Sequence, residues 1–264
     1  MTTRELLLTT WNWNPFWIAV CVLGLLAYGW IFGWKLQAKS VYFFLGLILL
    51  FLSLASPIDF LARGYLFSAH MLQHLLLVLI VPPLLLLGLP DPGNKFRLPE
   101  GIAPWVKHPL IGWLSGVGAM WFWHIPAVCD AATSIEAVHT LQTFSLLMMG
   151  TLFWRLIVGP RMEERLSPMA GIPYLVSACV ACSLLGIWIT FTAVSVCPVF
   201  MNPMDRMEIL PMIRDSWGLT PAADQQIGGL LMWVPACLVY LGAVLVLLVR
   251  FYRHPAKTEK KHAS

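Results

Sequence analysis

The chain has 264 residues, of which 59% are hydrophobic and 11% charged, with a formal net charge of +4. A soluble domain carries about 25% charged residues, so this chain lacks the polar surface of a water-facing globule and most of it must be solvated by lipid. The positive charge gathers after the last apolar run, at Arg250, Arg253, Lys257, Lys260 and Lys261, where it reads as a cytoplasmic anchor rather than a nucleic-acid arm.

Met1 to Asn14 holds one Arg, one Glu and the run Trp11-Asn12-Trp13-Asn14, with no small-residue cleavage site. The first apolar stretch is therefore expected to be a retained helix rather than a signal peptide. Seven apolar runs of spanning length follow, near residues 16–34, 41–55, 69–87, 110–125, 137–158, 172–194 and 227–251. Prolines 15, 57, 90, 109, 126 and 160 punctuate their boundaries. The expected fold is all-α: a polytopic bundle of about seven transmembrane helices forming a single domain over residues 1–264.

Lys and Arg give the orientation. With the amino terminus outside, the cytoplasmic segments hold Lys35 and Lys39; Lys95, Arg97 and Lys107; Arg155, Arg161 and Arg165; and the five tail residues. That is thirteen cations inside against four outside, namely Arg4, Arg63, Arg206 and Arg214. The bias predicts an outer amino terminus and a cytoplasmic carboxyl terminus. Trp11, Trp13, Trp121, Trp123 and Trp217 are expected in an outer aromatic belt, and Trp34, Trp105 and Trp154 in an inner one.

Ionisable groups at membrane depth are costly, so their positions carry information. His70 and His74 open the third predicted helix from the outer side, four residues apart, on one helical face about 6 Å apart along the axis. His124 closes the fourth helix on that side and His139 opens the fifth. Four of the seven histidines thus reach one level on three consecutive helices. His108 lies on the cytoplasmic side, and His254 and His262 lie in the tail. A lone interfacial histidine is commonly a helix-packing residue, and i,i+4 spacing alone is weak; the four together point to a ligand or redox role. Carboxylates gather at the same level: Asp59, Asp130, Glu136 and Asp224. Asp130 and Glu136 are candidates to orient an imidazole. Asp224-Gln225-Gln226 also fits the amino-terminal cap of the last helix, and Asp59 the end of the Ser56-Pro57-Ile58 turn.

The outer loop before the last helix repeats methionine every third residue, at Met201, Met204 and Met207, with Cys197 upstream. Thioether ligands suit Cu(I), and imidazole suits copper, zinc and iron. Methionine also fills packing gaps, but a water-facing loop has less use for that. Cys179 and Cys182, set among Ala, Ser and Gly in the sixth helix, read as helix packing. Cys129 and Cys197 both fall on the outer side, where an oxidising compartment permits a disulfide; the sequence does not fix their distance. A phosphate-cradling loop, a nucleophile motif and midplane charges of the transporter kind are all missing from the sequence.

An ordered set of motifs resembles the multi-spanning CtaG family of cytochrome c oxidase assembly proteins. It comprises His70-Met-Leu-Gln-His74, Pro82-Pro83, Gly88-Leu-Pro90, Trp123-His124-Ile-Pro126, His139 with Gly150 and Phe153-Trp154, and Asp224-Gln225-Gln226 through Gly228-Gly229 to Met232-Trp233-Val-Pro235. The resemblance implies a multi-pass protein of the bacterial plasma membrane that helps assemble a haem-copper oxidase by aiding copper delivery. The family's histidines carry over to His70, His74, His124 and His139. Thr143 stands where members have a further histidine, and Met201–Met207 lies outside the signature. The expected partners are oxidase subunits, the bilayer and a periplasmic copper chaperone, with no nucleic acid. The leading expectation is a non-enzymatic, copper-binding assembly factor. The alternatives are a haem-binding membrane cytochrome or haem-handling oxidoreductase, and a metal-free structural partner of the oxidase.

Overall fold

The structure is a computed structural model that describes residues 2–34, 37–91, 101 and 103–253. Lys35, Lys95, Arg97, Lys257, Lys260, Lys261, His254 and His262 lie outside the described residues. Among the described residues the regular structure is all helical. A short α1 (Thr3–Thr9) opens with a capping box between Thr2 and Glu5. Asn14 accepts from the Phe16 N–H to start α2 (Pro15–Phe32), and Pro15 sits in the first turn, where no donor is needed. Ser56 ends α3 (Ser40–Ala55) and caps α4 (Pro57–Ala62) by accepting from the Ile58 N–H. Then come α5 (Phe67–Gly88), α6 (Ala103–Lys107), α7 (Pro109–Trp123), α8 (Pro126–Ser134), α9 (Glu136–Val158), α10 (Pro168–Phe191) and α11 (Pro221–Arg253).

All seven predicted apolar runs are helical. Five helices are long and apolar enough to cross a membrane: α2, α5, α9, α10 and α11. The other two, α3 and α7, have 16 and 15 residues. The sixth and seventh runs begin earlier than their apolar residues do. Ser167 and Thr220 are side-chain caps followed by proline, and Thr220 Oγ1 accepts from the Ala223 N–H at 3.2 Å. A hydropathy window does not register such caps.

The centre of the bundle is α5, packed against α3, α9 and α11, while α10 and α11 pair along most of their length. Between Leu76 and Ile80, α5 widens into a π-helical turn. The cause is Pro82-Pro83, which lacks the two N–H groups that would close the preceding turn. The Val78 carbonyl is satisfied from outside instead, by Trp154 Nε1–H of α9 at 3.1 Å. One turn earlier on α9, Gly150 lets the backbones meet; a Cβ there would stand 2.8 Å from the Val78 oxygen. Trp154 therefore belongs to the core rather than to an aromatic belt. So does Trp123, which is buried and donates to Ser145 Oγ at 2.9 Å.

One end of the bundle is covered by a lid. Leu6 of α1 is buried against Tyr65, Leu66, Ile209 and Ile213, and the Asn12 N–H donates to the Ala55 carbonyl at 2.8 Å. A disulfide joins Cys129 of α8 to Cys197, with Cα atoms 5.7 Å apart. It ties the 192–200 segment over the same end and seats Phe200 against His70, ring centroids 5.7 Å apart.

Candidate metal centre

The first two turns of α5 carry His70 and His74, and the helix's cap comes from another helix. Asp224 of α11 accepts from the Phe67 N–H at 2.6 Å, the Ser68 N–H at 3.1 Å and the Ser68 hydroxyl at 2.5 Å. Asp224 thus caps α5 rather than its own helix, and its negative charge complements the positive end of the α5 dipole. Its neighbour Gln225 accepts from the Val196 N–H at 3.1 Å and donates to the carbonyl of Val194 at 3.2 Å. Together the two side chains lock α5 and the 192–200 segment onto α11.

Under this lid the four predicted histidines come together. His70, His74, His124 and His139 are 0, 2, 2 and 3% exposed. The rings of His70 and His74 are 4.2 Å apart, and those of His74 and His124 are 5.5 Å apart. His70 Nδ1 lies 3.2 Å from the Ala62 carbonyl, and His124 Nδ1 lies 2.5 Å from the Met120 carbonyl. A carbonyl only accepts, so each Nδ1 carries the proton and, in the neutral ring, each Nε2 carries a lone pair. His70 Nε2, both nitrogens of His74, both nitrogens of His139 and Gln142 Nε2 are buried without a hydrogen-bond partner. Buried polar groups are rarely left so, because each costs about 1–3 kcal/mol. A cluster of unpaired imidazole nitrogens is chemically suited to a cation that accepts lone pairs. As the side chains stand, no three His, Cys, Asp or Glu groups lie at metal-ligand spacing among the described residues.

Asp59 is the carboxylate that meets this cluster. It is 1% exposed, and its Oδ1 lies 3.9 Å from His139 Nε2, just beyond hydrogen-bond reach. It accepts from Arg63 Nε at 2.8 Å, Asn12 Nδ2 at 2.8 Å and Gln73 Nε2 at 3.0 Å. Burial disfavours its charge, but His139, Arg63, Asn12 and Gln73 outweigh that and hold its carboxyl below the ordinary value. Arg63 continues outward to Glu136 at 2.6 Å.

Asp130 and Glu136, the expected imidazole partners, are both exposed. Met204 and Met207 are 72 and 44% exposed, and Met201 is half-buried. Met207 borders a surface cleft of about 340 Å³ whose lining also includes Thr10, Asn12, Asp59, Phe60 and Arg63. His108 is exposed at the start of α7, away from the cluster. Thr143 is buried beside Gln142.

The model of the cytochrome c oxidase caa3 assembly factor family (Caa3_CtaG) matches residues 17–254. The chain belongs to that family. Curated relatives include uncharacterized proteins of Mycobacterium leprae and Mycobacterium bovis, each 23% identical over 223 and 220 residues. Both alignments cover 75% of this chain, and the chain spans 32% of the relatives' length. No solved structure matches the chain.

For this caa3 assembly factor family member, sequence reasoning placed Asp59 at the histidine level but read it as the end of a turn, and it missed Gln73 and Gln142. A signal existed for both amides: Gln73 and Gln142 lie inside apolar helices at the histidine level, and an amide there requires a partner. Nothing in the sequence brings Asp59 to His139, because the two lie on α4 and α9, eighty residues apart.

Proposed function

We propose that this chain is a non-enzymatic oxidase assembly factor that binds copper at the outer face of the bacterial plasma membrane and aids its delivery to cytochrome c oxidase subunits. The observation that carries the reading is the cluster of buried, unpartnered ring nitrogens on His70, His74 and His139, with His124 beside them. His70 and His74 are the central ligands, and His124 and His139 complete the set. Asp59 orients His139, the role in which a carboxylate raises the basicity of a metal-bound imidazole. Met201, Met204 and Met207 exchange Cu(I) with a periplasmic chaperone or the oxidase by thioether ligation.

A single seven-span domain with an outer amino terminus fits this role. Residues of α3 and α7 are apolar, and at 1.5 Å per residue each reaches about 23 Å, enough for a locally thinned bilayer. The Cys129–Cys197 disulfide lies at the histidine end, and disulfides persist in oxidising compartments, which supports placing that end outside. The Lys107–Glu164–Arg155 cluster joins the ends of α6 and α9 to the connection after α9, at the level assigned to the inside.

Direct packing of the histidine rings favours a metal ion over haem, which needs a slot between its axial ligands. The test is metal analysis and an absorption spectrum of the protein purified in mild detergent. Near-stoichiometric copper that is lost in the His70→Ala/His74→Ala double variant is expected. Unchanged copper in that variant sinks the assignment, and a Soret band with iron replaces it with the haem reading.

A further inference from the structure

Beside the histidine cluster lies a small cavity of about 20 Å³, bounded by Met71, Met120, Met232, Cys182, Leu75 and Tyr240 among others. That volume accepts one water-sized particle and no organic ligand. A water would need two to four polar partners, whereas most of this wall is sulfur and hydrocarbon. Three methionines from three different helices, α5, α7 and α11, line one small space, joined by a cysteine from α10. Methionine commonly fills irregular gaps, yet these methionines leave the gap open.

A second observation ties this cavity to the histidines. His124 Nε2 lies 3.1 Å from Met71 Sδ. With its Nδ1 proton directed to the Met120 carbonyl, the neutral His124 ring presents a lone pair to a sulfur that also carries lone pairs. Two electron-pair donors side by side, with no proton between them, form half of a coordination shell. Met120 lies one helical turn below His124 on α7, and Met71 lies between His70 and His74 on α5, so the thioethers adjoin the imidazoles on both helices.

From this arrangement we infer that the cavity is a second metal site, selective for a soft monovalent cation, with Met71, Met120 and Met232 as thioether ligands and Cys182 as a fourth sulfur. In the cell the cation is Cu(I); that identity rests on the copper reading of the histidine cluster, while the site itself does not. Soft sulfur donors prefer Cu(I) over divalent metals, and imidazole accepts both. The adjoining donor sets thus place a less selective imidazole site beside a Cu(I)-selective sulfur one, with His124 and Met71 shared at the boundary.

The experiment uses Ag(I), a soft monovalent cation without redox chemistry, on the full chain in mild detergent. After removal of excess silver, bound silver is counted and its first coordination shell is read by X-ray absorption. The expected wild-type shell contains two or more sulfurs. The Met71→Leu/Met120→Leu/Met232→Leu variant, close to volume-conserving, is expected to lose that sulfur shell and about one silver per chain. All of these measurements are made in a Met201→Leu/Met204→Leu/Met207→Leu background, which removes the loop thioethers assigned to Cu(I) exchange, and in it the Met162→Leu/Met169→Leu variant, at two exposed methionines outside both sites, is expected to keep both the sulfur shell and the silver count. A wild-type shell of nitrogen and oxygen alone, or a sulfur shell that survives the core triple variant, overturns the inference. If the triple variant does not fold, Met232→Leu alone is expected to remove one sulfur, and an unchanged shell there overturns it equally. The His70→Ala/His74→Ala variant keeps the two readings apart: copper unchanged in it defeats the histidine reading, while its silver–sulfur shell still tests this one.

Discussion

Replacing Asp224 by Asn tests whether α5 is held by a cap supplied from another helix. The side chains are nearly isosteric, but the amide has one accepting oxygen where the carboxylate has two. Asp224 uses both: Oδ2 takes the Phe67 N–H, and Oδ1 takes the Ser68 N–H and hydroxyl. In the variant one backbone N–H faces an NH₂ group. A hydrogen bond to a charged group contributes about 1.5–3 kcal/mol, and the lost helix-dipole interaction adds up to about 2 kcal/mol in buried geometry. Because these overlap, the expected destabilisation is about 3 kcal/mol, or roughly 6–12 °C in Tm for a chain of this size. The assay is thermal unfolding in detergent, followed by tryptophan fluorescence. A double-mutant cycle with Ser68→Ala is expected to give a coupling of about 1 kcal/mol or more, since the two side chains touch. A Tm within about 2 °C of wild type, or additive effects in the cycle, refutes the cap.

Asp59→Asn leaves Arg63 and Gln73 short of an acceptor; as Arg63 is a quarter exposed and keeps Glu136, the expected cost is about 2 kcal/mol rather than the 3–5 of a fully buried pair. The same variant is expected to weaken copper binding about 10–100-fold by competition titration, and an unchanged affinity removes Asp59 from the site. Gly150→Ala places a Cβ 2.8 Å from the Val78 oxygen and 2.9 Å from its Cα, backbone atoms that cannot rotate away. It should lower stability by about 1–3 kcal/mol; a gain of about 1 kcal/mol, as helix propensity alone predicts, contradicts the close approach. Glu164 is driven up by burial but held below its usual 4.5 by Arg155 and Lys107, which outweigh it. Its stabilising contribution is present above pH 4.5 and fades as pH falls through the lowered folded value, so the Tm gap between wild type and Glu164→Gln is expected to be full at pH 7 and to close on acidification. A gap independent of pH means the ion pairs do not stabilise the fold.

The sequence by itself determined the lipid-embedded, all-helical class, seven apolar helical runs and the level of the four histidines. These follow from properties repeated over many residues: hydropathy over a span, proline at boundaries and a rise of 1.5 Å per residue. The ordered motifs also determined the family. The sequence did not settle azimuth, and the chemistry depends on it. Asp59 and Asp224 are each compatible with a local turn or cap, yet Asp59 faces His139 and Asp224 caps α5, because α5 sits between α3, α9 and α11. The Met201–Met207 repeat drew attention as a pattern, whereas Met71, Met120 and Met232, scattered over three helices, line one cavity. Trp123 and Trp154 looked interfacial from their position along the helices and are core residues through their rotation about them. Depth is a one-dimensional quantity that sequence carries directly; which side of each helix meets which neighbour is fixed by packing contacts such as Gly150 on Val78, and only the tertiary structure contains them.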